Sequence, residues 1–278
     1  MKKTSNLEAD IKQVNVTEID RIKTSGSSKG NQIKWRKNNQ WVKADFLGYE
    51  GLAECFASWV ARHTNIGDFS AVTDYYQCKI AEDSNNRIGC YSDNFLNHGE
   101  ICVTAGRLLI SEFGPKYERQ LDKLSTEDRI KTVVDLITAV TKIKNFGQWL
   151  TCLLEFDSLI LNEDRHFFNI AVINSQITGY RLMPLFDNGA AFCSDMYKDY
   201  PLSIPVDVCI RKVKAKPFNT DFGKQIKACR KLYGPQLKIS LTAADIDVTL
   251  LKKFESYDAA VKNRMISIIK SQLVSFGS

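Results

Sequence analysis

Histidine is scarce in this sequence: three residues in 278, and none of the eight cysteines stands in a C-x-x-C pair. A zinc centre built on closely spaced thiolates and imidazoles is therefore not expected. Most of the cysteines lie among apolar residues, which fits buried thiols in a reducing compartment. No uninterrupted apolar run is long enough to span a bilayer. Met1 to Gln13 carries Lys2 and Lys3 without an apolar stretch behind them, so no signal peptide is read there. No long block alternates Lys or Arg with aromatics, and direct nucleic-acid binding is not expected. Repeats and low-complexity segments are also missing. These absences leave a soluble, cytoplasmic protein as the expectation.

What is present is ordinary globular material. Hydrophobic residues make up 44% of the chain and charged residues 25%, enough to bury a sizeable core. The length suits one large domain or two lobes. A formal charge of +6 is compatible with an anionic ligand such as a nucleotide.

Residues 1–19 are polar and aperiodic and read as a leader. From Arg21 the segment "RIKTSGSSKGNQIKWRKNNQWVKADF" predicts a short strand near Ile22 and a Gly/Ser loop. A strand at Ile33 to Arg36, a turn at Lys37-Asn38-Asn39 and a strand from Gln40 to Phe46 follow. Alternation in the last strand puts Trp41, Lys43 and Asp45 on one face. Leu52, Cys55, Phe56, Trp59, Val60 and His63 then recur at helical spacing. Two more strands are predicted near Ala71 to Ile80 and Arg87 to Ser92. From about residue 106 the pattern is helical. Ser125 opens one helix with Asp128 three residues on, close to a capping box. A second helix runs from Phe146 to Ile160. Residues 167–173 and 180–186 read as short strands, and 221–277 as further helices. The expected organisation is a small β-rich half over residues 20–105 and a larger helical half over 106–278.

One stretch resists a purely structural reading. "LILNEDRHFFNIAVI" sets Asn162, Glu163, Asp164, Arg165, His166 and Asn169 between two apolar flanks. Eighteen residues past Asn169, "MPLFDNGAAF" places Asp187 at the end of an apolar strand. An acid, an amide five positions later and an acid after the next strand is a recurring phosphoryl-transfer arrangement. The chemistry needs one carboxylate to orient a hydroxyl and accept its proton late. It also needs hard oxygen ligands to hold magnesium against phosphates. The first half offers phosphate grips. Gly26 and Gly30 in the loop Gly26-Ser27-Ser28-Lys29-Gly30-Asn31 could let backbone amides approach phosphates. Lys43 sits in a strand with apolar neighbours, where an unpaired ammonium would be costly. Glu54, eleven residues on, can pair with it, and Glu50 on the same helix is the alternative. "RKVKAK" (Arg211 to Lys216) reads as a solvated basic face, or as a contact for an acidic substrate. Tyr75, Tyr76, Trp35 and Trp41 read as packing.

The stretches "SGSSKGNQI", "QWVKADF", "EGLAECFASWV", "LNEDRHFFN" and "PLFDNG", in that order over about residues 20 to 225, resemble the HipA-like family of bacterial serine/threonine kinases, including its short CtkA-like members. The resemblance implies a two-lobed, protein-kinase-like α+β fold with a β-rich N-lobe and a helical C-lobe. It implies Asp164 as the catalytic carboxylate, Asn169 and Asp187 as magnesium ligands, and Lys43, paired with Glu54, on the α/β-phosphates of ATP. Gly26 to Asn31 would cover the phosphates, and Ser27 or Ser28 would be an autophosphorylation site that switches activity off. His166 would brace the loop. The acceptor would be a Ser or Thr hydroxyl of a protein, recognised by residues between Asp187 and about Gln225. The connection after Tyr91 would border the adenine. Ordinary kinases differ in carrying Arg and His before the catalytic Asp, and Phe where Asn188 stands. Full-length HipA-type toxins are similar but carry a further N-terminal domain. A small-molecule or phosphoinositide kinase, and a catalytically silent nucleotide-binding partner in a toxin–antitoxin pair with a small antitoxin or lobe-like partner, are the alternatives.

Overall fold

The computed structural model describes residues 11–22, 32–82 and 85–277. The loop Gly26 to Asn31, with Ser27, Ser28, Lys29 and Gly30, lies outside the described residues.

The first lobe is built on five strands: β1 (Lys12–Val16), β2 (Lys34–Lys37), β3 (Gln40–Ala44), β4 (Tyr76–Glu82) and β5 (Asn85–Asp93). Their order is β1-β4-β5-β3-β2, with β1 parallel to β4 and the other pairs antiparallel. Helix α1 (Glu50–Ala61) connects β3 to β4. Asn38 and Asn39 take positive φ (48° and 62°), the left-handed pair that a two-residue hairpin turn requires and asparagine tolerates. That turn sets the register of β2 on β3: Trp35 faces Val42, and Lys34 faces Lys43.

One sheet face buries Val14, Val16, Trp35, Val42, Ala44, Cys78 and Ile80. The Trp35 indole N–H donates to Glu82 at 3.0 Å, which satisfies the polar edge of a fully buried ring. The leader expected over residues 1–19 is corrected here. Lys12 to Val16 pair with Cys78 to Glu82 as a sheet edge. Only two residues of β1, Val14 and Val16, enter the core. A period of two carried by two residues is too short to register against a polar background.

The second lobe contains β6 (Glu100–Thr104), α2 (Ala105–Phe113), α3 (Tyr117–Leu121), α4 (Thr126–Thr141), α5 (Phe146–Ile160), β7 (Ala171–Ser175), β8 (Gly179–Leu182), α6 (Val206–Lys212), α7 (Phe222–Tyr233), α8 (Ala243–Lys253) and α9 (Ala259–Gly277). Strand β6 falls in the stretch read as the β-rich half, yet it pairs with β7 in a second sheet, β6-β7-β8. The expected strand at 167–173 begins later, because Phe167 to Asn169 form a single 3₁₀ turn. Ser125 caps α4 as anticipated: its hydroxyl accepts the Asp128 N–H at 3.1 Å. All residues of α5 except Gln148 are buried, so this helix is the centre of the lobe rather than an amphipathic face.

The lobes are joined through α1. Tyr49, Leu52, Phe56 and Val60 pack into the same core as α5. The Tyr49 hydroxyl donates to the Phe192 carbonyl at 2.7 Å, and the Tyr257 hydroxyl to Asp45 at 2.7 Å. All eight cysteines are free thiols, and among them only Cys102 is partly exposed. Among the described residues no helix is long and apolar enough to cross a membrane.

Candidate active site

Strand β3 delivers Lys43 to the cleft. Its ammonium touches the Glu54 carboxylate from α1 and donates to Asp187 Oδ1 at 2.7 Å. Burial alone would push this lysine toward its neutral form. The Asp187 and Glu54 carboxylates outweigh that and hold its proton well above the ordinary range. Glu54 is fully buried, and its second oxygen accepts the Asn188 N–H at 2.8 Å. One side chain thus fixes both the strand lysine and the segment after β8. Glu50, the alternative partner, accepts the N–H groups of Phe46, Leu47 and Gly48 instead, closing the turn into α1.

Asp187 has φ of 57°, a left-handed conformation that aspartate tolerates better than most residues. Burial raises its proton affinity, but Lys34 at 3.6 Å and Lys43 hold the carboxyl well below the usual carboxylate range. Lys34 was missed in the sequence. Its signal was there: folding the chain about Asn38-Asn39 puts it directly opposite Lys43.

The loop Asn162 to Asn169 begins where Leu161 ends α5 in a left-handed turn (φ 53°). The Asn162 amide accepts the Asp164 N–H at 3.2 Å and donates to Asp157 at 2.9 Å. The Asn169 Nδ2 donates to the Asp164 carbonyl at 3.0 Å, so its amide oxygen is the atom it can offer a cation. His166 lies 3.8 Å from Asp164 and meets the Phe168 ring edge-on. Burial lowers its proton affinity below the usual histidine range. Its Nδ1 is buried without a hydrogen-bond partner among the described residues, so the structure supplies packing rather than hydrogen bonding for it as a brace.

Arg165 is the hub that sequence reading left without a role. Its guanidinium, 1% exposed, makes a forked pair with Asp157 of α5 at 2.8 and 3.0 Å. It also donates to the Asn169 carbonyl at 3.2 Å, the Phe186 carbonyl at 3.0 Å and the Asn188 amide oxygen at 2.6 Å. The loop carrying Asp164 and Asn169 and the segment carrying Asp187 are therefore tied to one buried cation. Asn188, standing where ordinary kinases carry Phe, is the acceptor that completes this knot.

A cavity of about 260 Å³ opens between the lobes. Trp41, Phe95, Leu96, Met183 and Phe186 wall it with apolar surface, while Lys34, Lys43 and Asp187 gather its charged groups. Ser92 and Asn94, from the connection after Tyr91, border it as well. Apolar walls joined to a cluster of charge suit a flat base and an anionic tail. Tyr75 and Trp41, read as packing, line this cavity; Trp35 does pack. For magnesium, Asp187 and Asn169 could supply one carboxylate and one amide oxygen. That set is adequate for an ion that keeps waters and phosphate oxygens as its other ligands. The basic run at Arg211 to Lys216 is not uniformly solvated: the Lys216 ammonium donates to Asp164 Oδ1 at 2.9 Å.

A β-sheet lobe carrying a buried lysine–glutamate pair that reaches across to Asp187 and Asn188 of a helical lobe, with an Asp–Asn loop beneath, defines a kinase-type fold. In solved structures the chain is similar to the Helicobacter pylori proinflammatory kinase CtkA, with a TM-score of 0.60 and 15% identity over 94% of this chain and 95% of that one. The fold is thus CtkA-like. It is also similar to HipA of Shewanella oneidensis MR-1, solved as a toxin–antitoxin complex with HipB and operator DNA. That match has a TM-score of 0.48 and 13% identity over 92% of this chain and 64% of that one. No protein-family model and no curated protein matches the chain.

Proposed function

We propose that this chain is an ATP- and magnesium-dependent kinase that phosphorylates Ser or Thr hydroxyls of a protein. The observation that carries the reading is the meeting of Lys43, Glu54 and Asp187, drawn from both lobes, at a cavity with apolar walls and a charged cluster, with the Asp164–Asn169 loop tied to the Asp187 segment through Arg165. Lys43 and Lys34 neutralise phosphate oxygens. Glu54 keeps the Lys43 ammonium in place and charged. Asp187 and Asn169 would hold magnesium, which would neutralise charge that builds on the phosphates. Asp164 orients the acceptor hydroxyl. The acceptor oxygen forms a bond to the γ-phosphorus as the bond to the β–γ bridging oxygen breaks. ADP leaves with that electron pair, and the acceptor proton passes late to Asp164. Catalysis of this kind asks chiefly for position and electrostatic complementarity, and the Arg165 knot supplies the first. Gly26 to Asn31, which lie outside the described residues, are assigned to the phosphates on the family resemblance alone, with Ser27 or Ser28 as the autophosphorylation site.

The test is incubation with γ-labelled ATP and magnesium, followed by intact mass and peptide mapping, with Asp164→Ala alongside. The expected result is a gain of one phosphate on Ser27 or Ser28 in the wild type only, with nucleotide binding intact in the variant. Asp187→Ala is expected to weaken magnesium-nucleotide binding as well. Full transfer by Asp164→Ala would overturn the assignment.

A further inference from the structure

We propose that Lys216 is a positioning residue of the transfer step, holding the Asp164 carboxylate from the acceptor side of the site. The proposal rests on the reading of Asp164 as the orienting carboxylate.

Lys216 lies 52 positions beyond Asp164 and outside the loop that carries it, yet its ammonium reaches Oδ1 at 2.9 Å. The other carboxylate oxygen faces His166 at 3.8 Å. Both neighbours, Lys216 and His166, line a second cavity of about 350 Å³, bounded further by Tyr117, Leu121, Phe168 and Pro217. This cavity is separate from the one lined by Lys43 and Asp187. The carboxylate is thus flanked by two residues of that cavity's wall, and an acceptor hydroxyl arriving from that side would meet it between them.

The backbone that presents Lys216 is built for the purpose. Gln225 of α7 is fully buried and uses its whole amide on this one turn. Its oxygen accepts the N–H groups of Phe218 at 2.9 Å and Asn219 at 3.2 Å, and its Nε2 donates to the Lys216 carbonyl at 3.1 Å. Phe218, buried, meets Phe167 of the catalytic loop edge-on at 5.4 Å. The lysine is thus anchored to both α7 and the loop it serves, unlike Lys214 two residues earlier, which is exposed. A cation held at the carboxylate sets which oxygen faces the acceptor.

The experiment compares Lys216→Met, Lys216→Arg and Lys214→Met. The readouts are the single-turnover rate of γ-phosphoryl loss from MgATP, the affinity for MgADP and the thermal midpoint. Lys216→Met is expected to slow turnover on the order of 10²-fold, with MgADP affinity and thermal midpoint near wild type. Lys216→Arg, which keeps the charge, is expected to recover most of that loss, and Lys214→Met to lose nothing. Wild-type turnover in Lys216→Met would overturn the proposal. So would a loss that Arg fails to rescue and that tracks a lowered thermal midpoint. A wild-type chain that binds MgADP but turns over no MgATP would instead remove the transfer reading, and this proposal with it.

Discussion

Replacing Arg165 by Met tests whether one buried cation holds the site together. The guanidinium and the Asp157 carboxylate are each 1% exposed, so neither can recover hydration when its partner is lost. Removing one member of such a pair typically costs about 3–5 kcal/mol, most of it the stranded charge. Three further acceptors, the Phe186 and Asn169 carbonyls and the Asn188 amide oxygen, also lose a donor. Against a total stability on the order of 5–15 kcal/mol this is a large fraction. In a urea titration with a slope of about 3 kcal/mol per M, the midpoint falls by about 1 M or more. The double variant Arg165→Met/Asp157→Leu removes both charges and recovers part of the loss, a coupling of about 2 kcal/mol or more in a mutant cycle. Turnover should not recover with stability, because the loops bearing Asp164 and Asp187 have still lost their common anchor. A single-variant cost below about 1 kcal/mol, or a double variant no better than the sum of the singles, would refute the reasoning.

Two further perturbations bear on the first lobe. Asp45 is half-buried, accepts the Gly51 N–H at 2.6 Å and the Tyr257 hydroxyl, and has Glu50 nearby; its loss of water pushes the carboxyl up to about 7. The folded state then holds a proton that the unfolded chain releases near pH 3.9, so stability falls as pH rises from about 4 to about 7, by about 3–4 kcal/mol; denaturation across that range should show the slope, and Asp45→Asn should flatten it. A Cβ at Gly89 would sit 2.0 Å from the Lys43 carbonyl oxygen, so Gly89→Ala should part β5 from β3, cost about 1–3 kcal/mol and weaken nucleotide binding. Gly67→Ala, with nothing within 4 Å, is the control and should change neither.

How much of this was legible in the sequence depends on how locally each feature is encoded. The α1, α4 and α5 helices declared themselves through periodicity and, for α4, through Ser125, because those signals lie within one element. The motif residues were legible as an order: Lys43, Glu54, Asp164, Asn169, Asp187. What failed to appear were groups whose role exists only between elements. β1 carries two inward valines and becomes a strand because β4 is there to pair with it. Lys34 was recoverable by rule, since a two-residue turn dictates the register across it. Arg165 sat in plain view within the motif, but its use depends on Asp157, one α5 turn before the loop, and on Asn188, 23 residues on.

Lys216 marks the limit of such reading. It belongs to a basic run whose other members are solvated or buried for unrelated reasons, and no spacing rule links it to Asp164. Only the turn gathered by Gln225 distinguishes it. The distinction is physical: a lysine on a solvated face loses side-chain entropy when it is fixed on a carboxylate. A lysine whose backbone is already clamped loses less, and its contact is the better held for it. Gln225→Leu would strand the Phe218 and Asn219 N–H groups in a buried setting and release that clamp. Its effect on turnover should therefore run in the same direction as Lys216→Met while leaving the ammonium in the chain. If the Gln225 variant turned over normally, presentation of the lysine by α7 would carry no weight, and the contact to Asp164 would have to stand on charge alone.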